Sequence, residues 1–467
     1  MRITITFIFL FCVSVVYAQQ TPSTARILTF EEAIKIALQN SVSLNQQRNT
    51  LTSNQASKTS SMASLAPSIN GNASAQQFNG NSFNQNTGLV TNGVRDNVNA
   101  SLSASVTLFS GLGNINGIKQ YTSLLEAQSN LVNRTAQDVM NNVAAQYLRV
   151  MLDEELLKIA KENFEYLKKQ MEQTKEMVTL GSKSQVDEYN QDALTKGAEL
   201  RFVQAEIALA NNKALLAQTL LMDAFEQFEV EKPNWDLNAI SNEILNLEQL
   251  AEQAKLSRGD YLRAVNNEEA ARASLNIARG SLFPTIRAFG SLGSSYNYQH
   301  DVPKTITDPD TGNEIDNPFY PRPFNEQFKT NNFYKQYGVQ LNIPIFNGLQ
   351  QRTFLVQQRV AYDNNMLAKK NLEMQIKNDV LRAVRVYEGA KKAFTVSVDQ
   401  LGAAEKAFNF ETERFNLGLT NFVDYSNANK VFIQSQTDKA QAEYLLIFQK
   451  ILLEYAVGTL KPEEFQN

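Results

Sequence analysis

Few side chains in this sequence could carry bond-making chemistry, and they lie far apart. Cys12 is the single cysteine and His300 the single histidine among 467 residues. A His/Cys zinc cluster needs several such ligands. A Ser-His-Asp site would have to be built on a histidine in a Pro-rich stretch, which gives it no rigid support. Asp308-Pro309-Asp310-Thr311-Gly312-Asn313 has the look of a calcium loop, but its Gly comes one position early. A solvated outer loop fits that stretch better. Gly111-Leu112-Gly113-Asn114-Ile115-Asn116-Gly117 misses the dinucleotide spacing and leads into a long helix with no strand behind it. The residues therefore predict no catalytic, cofactor or metal site, and no enzyme.

Two acids stand in a repeated setting. Leu180-Gly181-Ser182-Lys183-Ser184-Gln185-Val186-Asp187 recurs as Leu417-Gly418-Leu419-Thr420-Asn421-Phe422-Val423-Asp424. Gly181 and Gly418 are 237 positions apart (418 − 181), as are Asp187 and Asp424 (424 − 187). A Gly that ends one helix and an Asp that starts the next make a helical-hairpin turn. Each Asp has two open roles: helix N-cap, or charge on a pore. A turn duplicated at a fixed offset makes the chain two halves.

The elements that position these turns follow from pattern. Net charge is −4, with 43% hydrophobic and 20% charged residues, which gives no nucleic-acid surface. The body holds no run of about 18 apolar residues, so no membrane-spanning helix is predicted. Residues 1–18 read as a cleaved secretory signal, with Arg2, an apolar stretch containing Cys12, and a small residue at Ala18. Its loss would leave a charge of −5 (−4 − 1) and no cysteine.

The first half, 19–245, opens with Thr29 and Glu32 as a capping box. It continues as helix, strands at 66–78 and 96–109, a helical hairpin at 114–225, and a linker with the sole Trp, Trp235. The stretch from Phe78 to Val94 is Asn- and Gly-rich and reads as a loop. In the second strand Val98, Ala100, Leu102, Ala104, Val106 and Leu108 alternate with small polar residues for about a dozen positions. Ordinary strands average roughly 5–6 residues, whereas membrane-barrel strands need about 9–11. Phe109-Ser110-Gly111 ends the strand. Val139, Val143, Tyr147 and Met151 mark a seam on the long helix, as Leu372, Ile376, Val380, Val384 and Tyr387 do on its counterpart.

The second half, 246–467, repeats the plan, with strands at 284–298 and 333–346 and a hairpin at 350–457. Leu282-Phe283-Pro284 mirrors Leu65-Ala66-Pro67 at an offset of 217 (284 − 67), and Phe346-Asn347-Gly348 mirrors Phe109-Ser110-Gly111 at 237 (348 − 111). The fold class is mixed: long coiled-coil helical hairpins with four membrane-type β-strands per chain. Four strands cannot close a barrel and an open edge cannot stand in lipid, so several chains must share one. Polar inward positions give a wet lumen, hence a conduit. The competing reading is a coiled-coil structural or adhesive surface protein, against which lipid-length alternation repeated at 237 speaks.

Over its whole mature length the chain resembles the TolC family of outer-membrane efflux and secretion ducts. The resemblance rests on Leu28-Thr29-Phe30-Glu31-Glu32-Ala33, the two Pro-led strands, the Phe-x-Gly junctions (Phe109/Gly111 and Phe346/Gly348) and the Gly…Val-Asp turns. It implies a homotrimer with a twelve-stranded barrel and a periplasmic α-helical tunnel in a Gram-negative outer membrane. It further implies docking to a periplasmic adaptor and an inner-membrane pump. In such ducts the helical turns form a tip that is closed at rest. The resemblance puts Gly181, Asp187, Gly418 and Asp424 at that tip. Phe415 stands where the family can have a Tyr, Thr420 where some members have an Arg tying coils together, and Asn427 where some have a second acid. The tip thus keeps one acid per turn and lacks part of the family's polar lock.

Overall fold

The computed structural model describes residues 26–84, 89–223, 227–233, 235–237, 240 and 245–462, so the expected signal segment lies outside it. Bounds of the long helices repeat to the residue. Strand β1 (Arg26–Leu28) leads into helices α1 (Phe30–Asn40) and α2 (Val42–Ala63); α5 (Leu247–Ser257) and α6 (Gly259–Gly280) sit 217 positions later. Strands β2 (Ser68–Asn84) and β3 (Leu89–Ser110) precede α3 (Gly113–Thr179) and α4 (Gln185–Leu220). After β4 (Phe228–Val230), strand β5 (Thr285–Gln299) begins 217 positions after β2. A small hairpin, β6 (Thr305–Thr307) and β7 (Glu314–Asp316), and a single turn, α7 (Phe324–Glu326), come before β8 (Tyr334–Asn342). Helices α8 (Gln350–Asn416) and α9 (Phe422–Val457) then repeat α3 and α4 at 237, with 67 and 36 residues in each copy.

The described residues divide into two compact units that cut across the sequence halves. One takes in Met1–Asn45, Thr135–Ala251 and Asp379–Asn467, the other Gln46–Arg134 and Glu252–Asn378. Most of the helix seams are buried as their periodicity predicts: Val143, Tyr147, Met151, Val380, Val384 and Tyr387 in the first unit and Ile376 in the second are in the core, while Val139 and Leu372 are half-buried. Parallel pairing of β1 with β4, which the sequence pattern did not indicate, is pinned by Tyr147. Its hydroxyl lies 2.8 Å from the Leu28 carbonyl and 2.7 Å from that of Glu231. Burial pushes its phenol pKa up. Trp235 packs edge-on to Phe30 at 5.9 Å. Thr29 caps α1, accepting from Glu32 N at 3.1 Å, but the Glu32 carboxylate is engaged by Arg26, so the reciprocal half of the expected capping box is replaced by an ion pair.

The second unit holds a four-stranded antiparallel sheet in the order β2-β3-β5-β8. Its register lines up the largely apolar face of all four strands. Ile69, Ala104, Gly290 and Tyr337 form one row, and Gly71, Leu102, Leu292 and Lys335 the next. Two expectations need correction. The described residues of the Phe78–Val94 stretch are strand and not loop: β2 and β3 stay paired through Phe78–Arg95, Phe83–Val90 and Asn84–Leu89. Alternation disappears there because each face mixes polar and apolar residues, yet the backbone groups of one strand still satisfy those of the other. Conversely, β8 stops at Asn342 instead of reaching 346, because its partner β5 begins at Thr285, opposite Asn342. Ile343, Ile345 and Phe346 are left exposed.

Candidate functional site

Both hairpin turns are built alike and belong to the first unit. At the end of α3, Ser182 N donates to Met177 O (2.8 Å) and Gly181 N to Val178 O (3.0 Å). At the end of α8, Leu419 N donates to Arg414 O (2.8 Å) and Gly418 N to Phe415 O (3.1 Å). This double closure needs a left-handed residue, and Gly181 (φ 77°) and Gly418 (φ 72°) supply it.

The two acids are not N-caps. Ser184 and Asn421 hold that position, and Asp187 and Asp424 sit three residues on. Ser184 Oγ accepts from Asp187 N at 3.2 Å while Ser184 N donates back to Asp187 Oδ2 at 3.2 Å. Asn421 Oδ1 accepts from Asp424 N at 2.9 Å, and the Asp424 carboxylate accepts from Asn421 Nδ2 at 3.0 Å and Thr420 Oγ1 at 3.3 Å. A carboxylate in the first turn also suits the positive end of a helix. Asp424 and Asn427 remain exposed, and Thr420 is half-buried.

Phe415 does something different. It is buried in a cluster with Phe408 and Tyr425, flanked by Tyr166, Leu194, Phe422 and Phe432. Its ring stacks on Tyr425 at 4.7 Å between centroids, nearly parallel at 11°. Lys183, from the turn of the other hairpin, places Nζ 3.3 Å from the Phe415 ring centroid. Tyr166, also from the other hairpin, meets Phe408 edge-on at 5.6 Å. Burial lowers the Lys183 pKa, and the nearby Asp187 charge opposes that. The two hairpins of one chain are thus joined by an aromatic cluster and a cation over a ring. Sequence reading found Phe415 and missed Lys183, Phe408 and Tyr425. The Phe408–Phe415–Phe422 spacing of seven was the available signal.

Around the turns Leu180, Val186, Leu417, Leu419 and Val423 are all exposed. The strand-to-helix junctions lie in the second unit. Gly111 (φ 59°) approaches Gly280 so closely that a Cβ on Gly111 would lie 2.2 Å from the Gly280 carbonyl oxygen. Gly348 (φ 65°) repeats the backbone but has open space around it in the single chain. Phe109 and Phe346 are exposed beside these glycines. Asp308 is occupied within its own turn, accepting from Asp310 N and Thr311 Oγ1 at 2.8 Å each. Among the described residues no group of three or more acids, histidines or cysteines is placed to hold a metal ion. His300 Nε2 sits 2.7 Å from Asp96 Oδ2.

The family model described as outer membrane efflux protein matches residues 33–220 and 250–459. The outer membrane protein TolC of Vibrio cholerae is 23% identical over 340 residues, covering 71% of this chain and 70% of that one. Among solved structures, the outer membrane protein VceC of Vibrio cholerae superimposes with a TM-score of 0.75 at 16% identity, covering 92% of this chain and 96% of that one. The Campylobacter jejuni CmeC outer membrane channel gives 0.75 at 14% identity, covering 93% and 88%. The matched segments take in both hairpins and all four strands of the sheet, and on that ground this chain belongs to the outer membrane efflux protein family.

Proposed function

We propose that three copies of this outer-membrane exit channel close one twelve-stranded barrel, and that their helical turns form a closable periplasmic tip. One observation carries the reading: a four-stranded sheet with one largely apolar face and two unpaired edges, β2 and β8. Unpaired backbone groups in lipid cost several kcal/mol each, so each edge requires another strand. Copies of the same chain supply them, β8 of one against β2 of the next. The apolar face meets lipid. The Ser, Asn and Gln side chains of the opposite face line a wet lumen.

In this reading the chain conducts passively and contributes no chemistry. Gly181, Asp187, Phe415, Gly418, Thr420, Asp424 and Asn427 make up the tip. The aromatic cluster with Lys183 holds each chain's two hairpins together, and Asp424 adds negative charge at the narrowest point. The exposed apolar residues of both turns are the docking ground for a periplasmic adaptor, which links the channel to an inner-membrane pump. An adaptor opens the tip only if it binds the open arrangement better than the closed one. Detergent-extracted protein should run as three copies by light scattering and form discrete channels in planar bilayers. A monomeric, detergent-independent protein would rule the reading out.

A further inference from the structure

The outer end of the sheet carries a feature that conduction does not use. Above Gly293, where β8 ends its pairing, the edge of β5 is covered by the segment 327–332. Gln327 is buried, and its side-chain amide imitates a strand: Asn297 N donates to Gln327 Oε1 at 3.1 Å and Gln327 Nε2 donates to Asn297 O at 2.9 Å. Asn332 Nδ2 donates to Ser295 O at 2.8 Å, and the Ser294 hydroxyl donates to Phe328 O. The segment is thereby fixed against the apolar face, and a groove of about 760 Å³ opens between them. Its floor is made of small residues, Gly71, Ala73 and Ala100, and its wall of Phe328 and Phe333. Lys329 lines it. Lys335 stands in the apolar row with Leu292, its Nζ 5.6 Å from the Phe333 ring. Both lysines are exposed, and among the described residues neither is in an ion pair.

Two cations on an apolar, lipid-facing surface call for anionic groups that come with hydrocarbon. Leu292 is seven residues along β5 from the helix-proximal Thr285, about 23 Å of strand at ~3.3 Å per residue. An apolar band is only about 25 Å tall and strands cross it tilted. The groove therefore lies in the half of the membrane away from the helices. We infer that it is a binding site for a phosphorylated, multiply acylated glycolipid of the outer leaflet. One acyl chain lies on Gly71, Ala73 and Ala100 against the two Phe rings, and a phosphate sits between Lys329 and Lys335. This rests on the barrel reading above, which sets the apolar face toward lipid.

The test is native mass spectrometry of the purified full-length protein in mild detergent, titrated with a diphosphoryl hexa-acyl glycolipid. K329E/K335E should weaken binding at least tenfold, while K304E, a charge change on the outer hairpin, should leave it unchanged. Unchanged binding in K329E/K335E overturns the site, as does equal loss in K304E. Phosphatidylglycerol binding as tightly as the glycolipid overturns the choice of lipid. The barrel reading has its own readout: Val339→Cys should be shielded in membranes from a water-soluble maleimide. Rapid labelling there would sink the barrel, whatever the glycolipid result.

Discussion

Phe415 and Asp424 lie nine positions apart and do opposite work (424 − 415). Phe415 is buried between Tyr425 and the Lys183 ammonium, so Phe415→Ala removes a ring stack and a cation contact and leaves a void. Such a truncation costs about 3 kcal/mol. The tip should loosen, and single-channel conductance in planar bilayers should rise. Lys183→Met keeps the packing and loses only the cation over the ring, worth roughly 0.5–2 kcal/mol, so its effect should be smaller. Asp424→Asn keeps a side chain of the same shape beside Asn421 and Thr420 and deletes one charge per chain. Cation preference measured from reversal potentials should fall; an unchanged preference would leave Asp424 as a turn residue only. At this scale the sequence was a partial guide. Leu-Gly…Val-Asp located both turns, yet Ser184 and Asn421, not the acids, are the caps, because any of Ser, Asn and Asp can serve and only backbone geometry selects among them. Lys183 escaped notice because its partner is 232 residues away (415 − 183).

The elements were far more legible. Stripes at helical spacing on α3 and α8 and alternation on β3 follow directly from side-chain geometry, and most of the seam positions are buried, with Val139 and Leu372 half-buried. Where the faces are mixed the signal vanished: beyond Phe78 the paired ends of β2 and β3 carry polar and apolar residues on both faces, so they read as loop. Strand–helix junctions were recognised by their glycines, but Gly280, which Gly111 meets backbone to backbone, was not. The two kinds of glycine should respond differently. Gly181→Ala meets open space and suffers only a left-handed backbone, about 1–2 kcal/mol. Gly111→Ala adds a collision with the Gly280 carbonyl, so its melting temperature should drop well below that of Gly181→Ala. Equal losses would mean that the close approach is not maintained.

For the whole molecule, duplication reaches further than one chain. β3 maps onto β8 by +237 and β5 onto β2 by −217, so the β3–β5 pairing within a chain forecasts the β8–β2 pairing between chains. Leu102 opposite Leu292 becomes Val339 (102 + 237) opposite Ala75 (292 − 217) of a neighbour. Oxidative cross-linking of the V339C/A75C double variant tests this directly, since Cys12 is the only native cysteine. Directly opposed residues have Cβ atoms about 4.5–5.5 Å apart and those two positions off about 7–8 Å, while a disulfide needs ~3.8 Å. The account predicts a ladder ending at three linked chains for V339C/A75C, and little linkage for the slipped pair V339C/A73C. Absence of linkage between chains, or equal linkage in the slipped pair, would contradict closure of the barrel by this register.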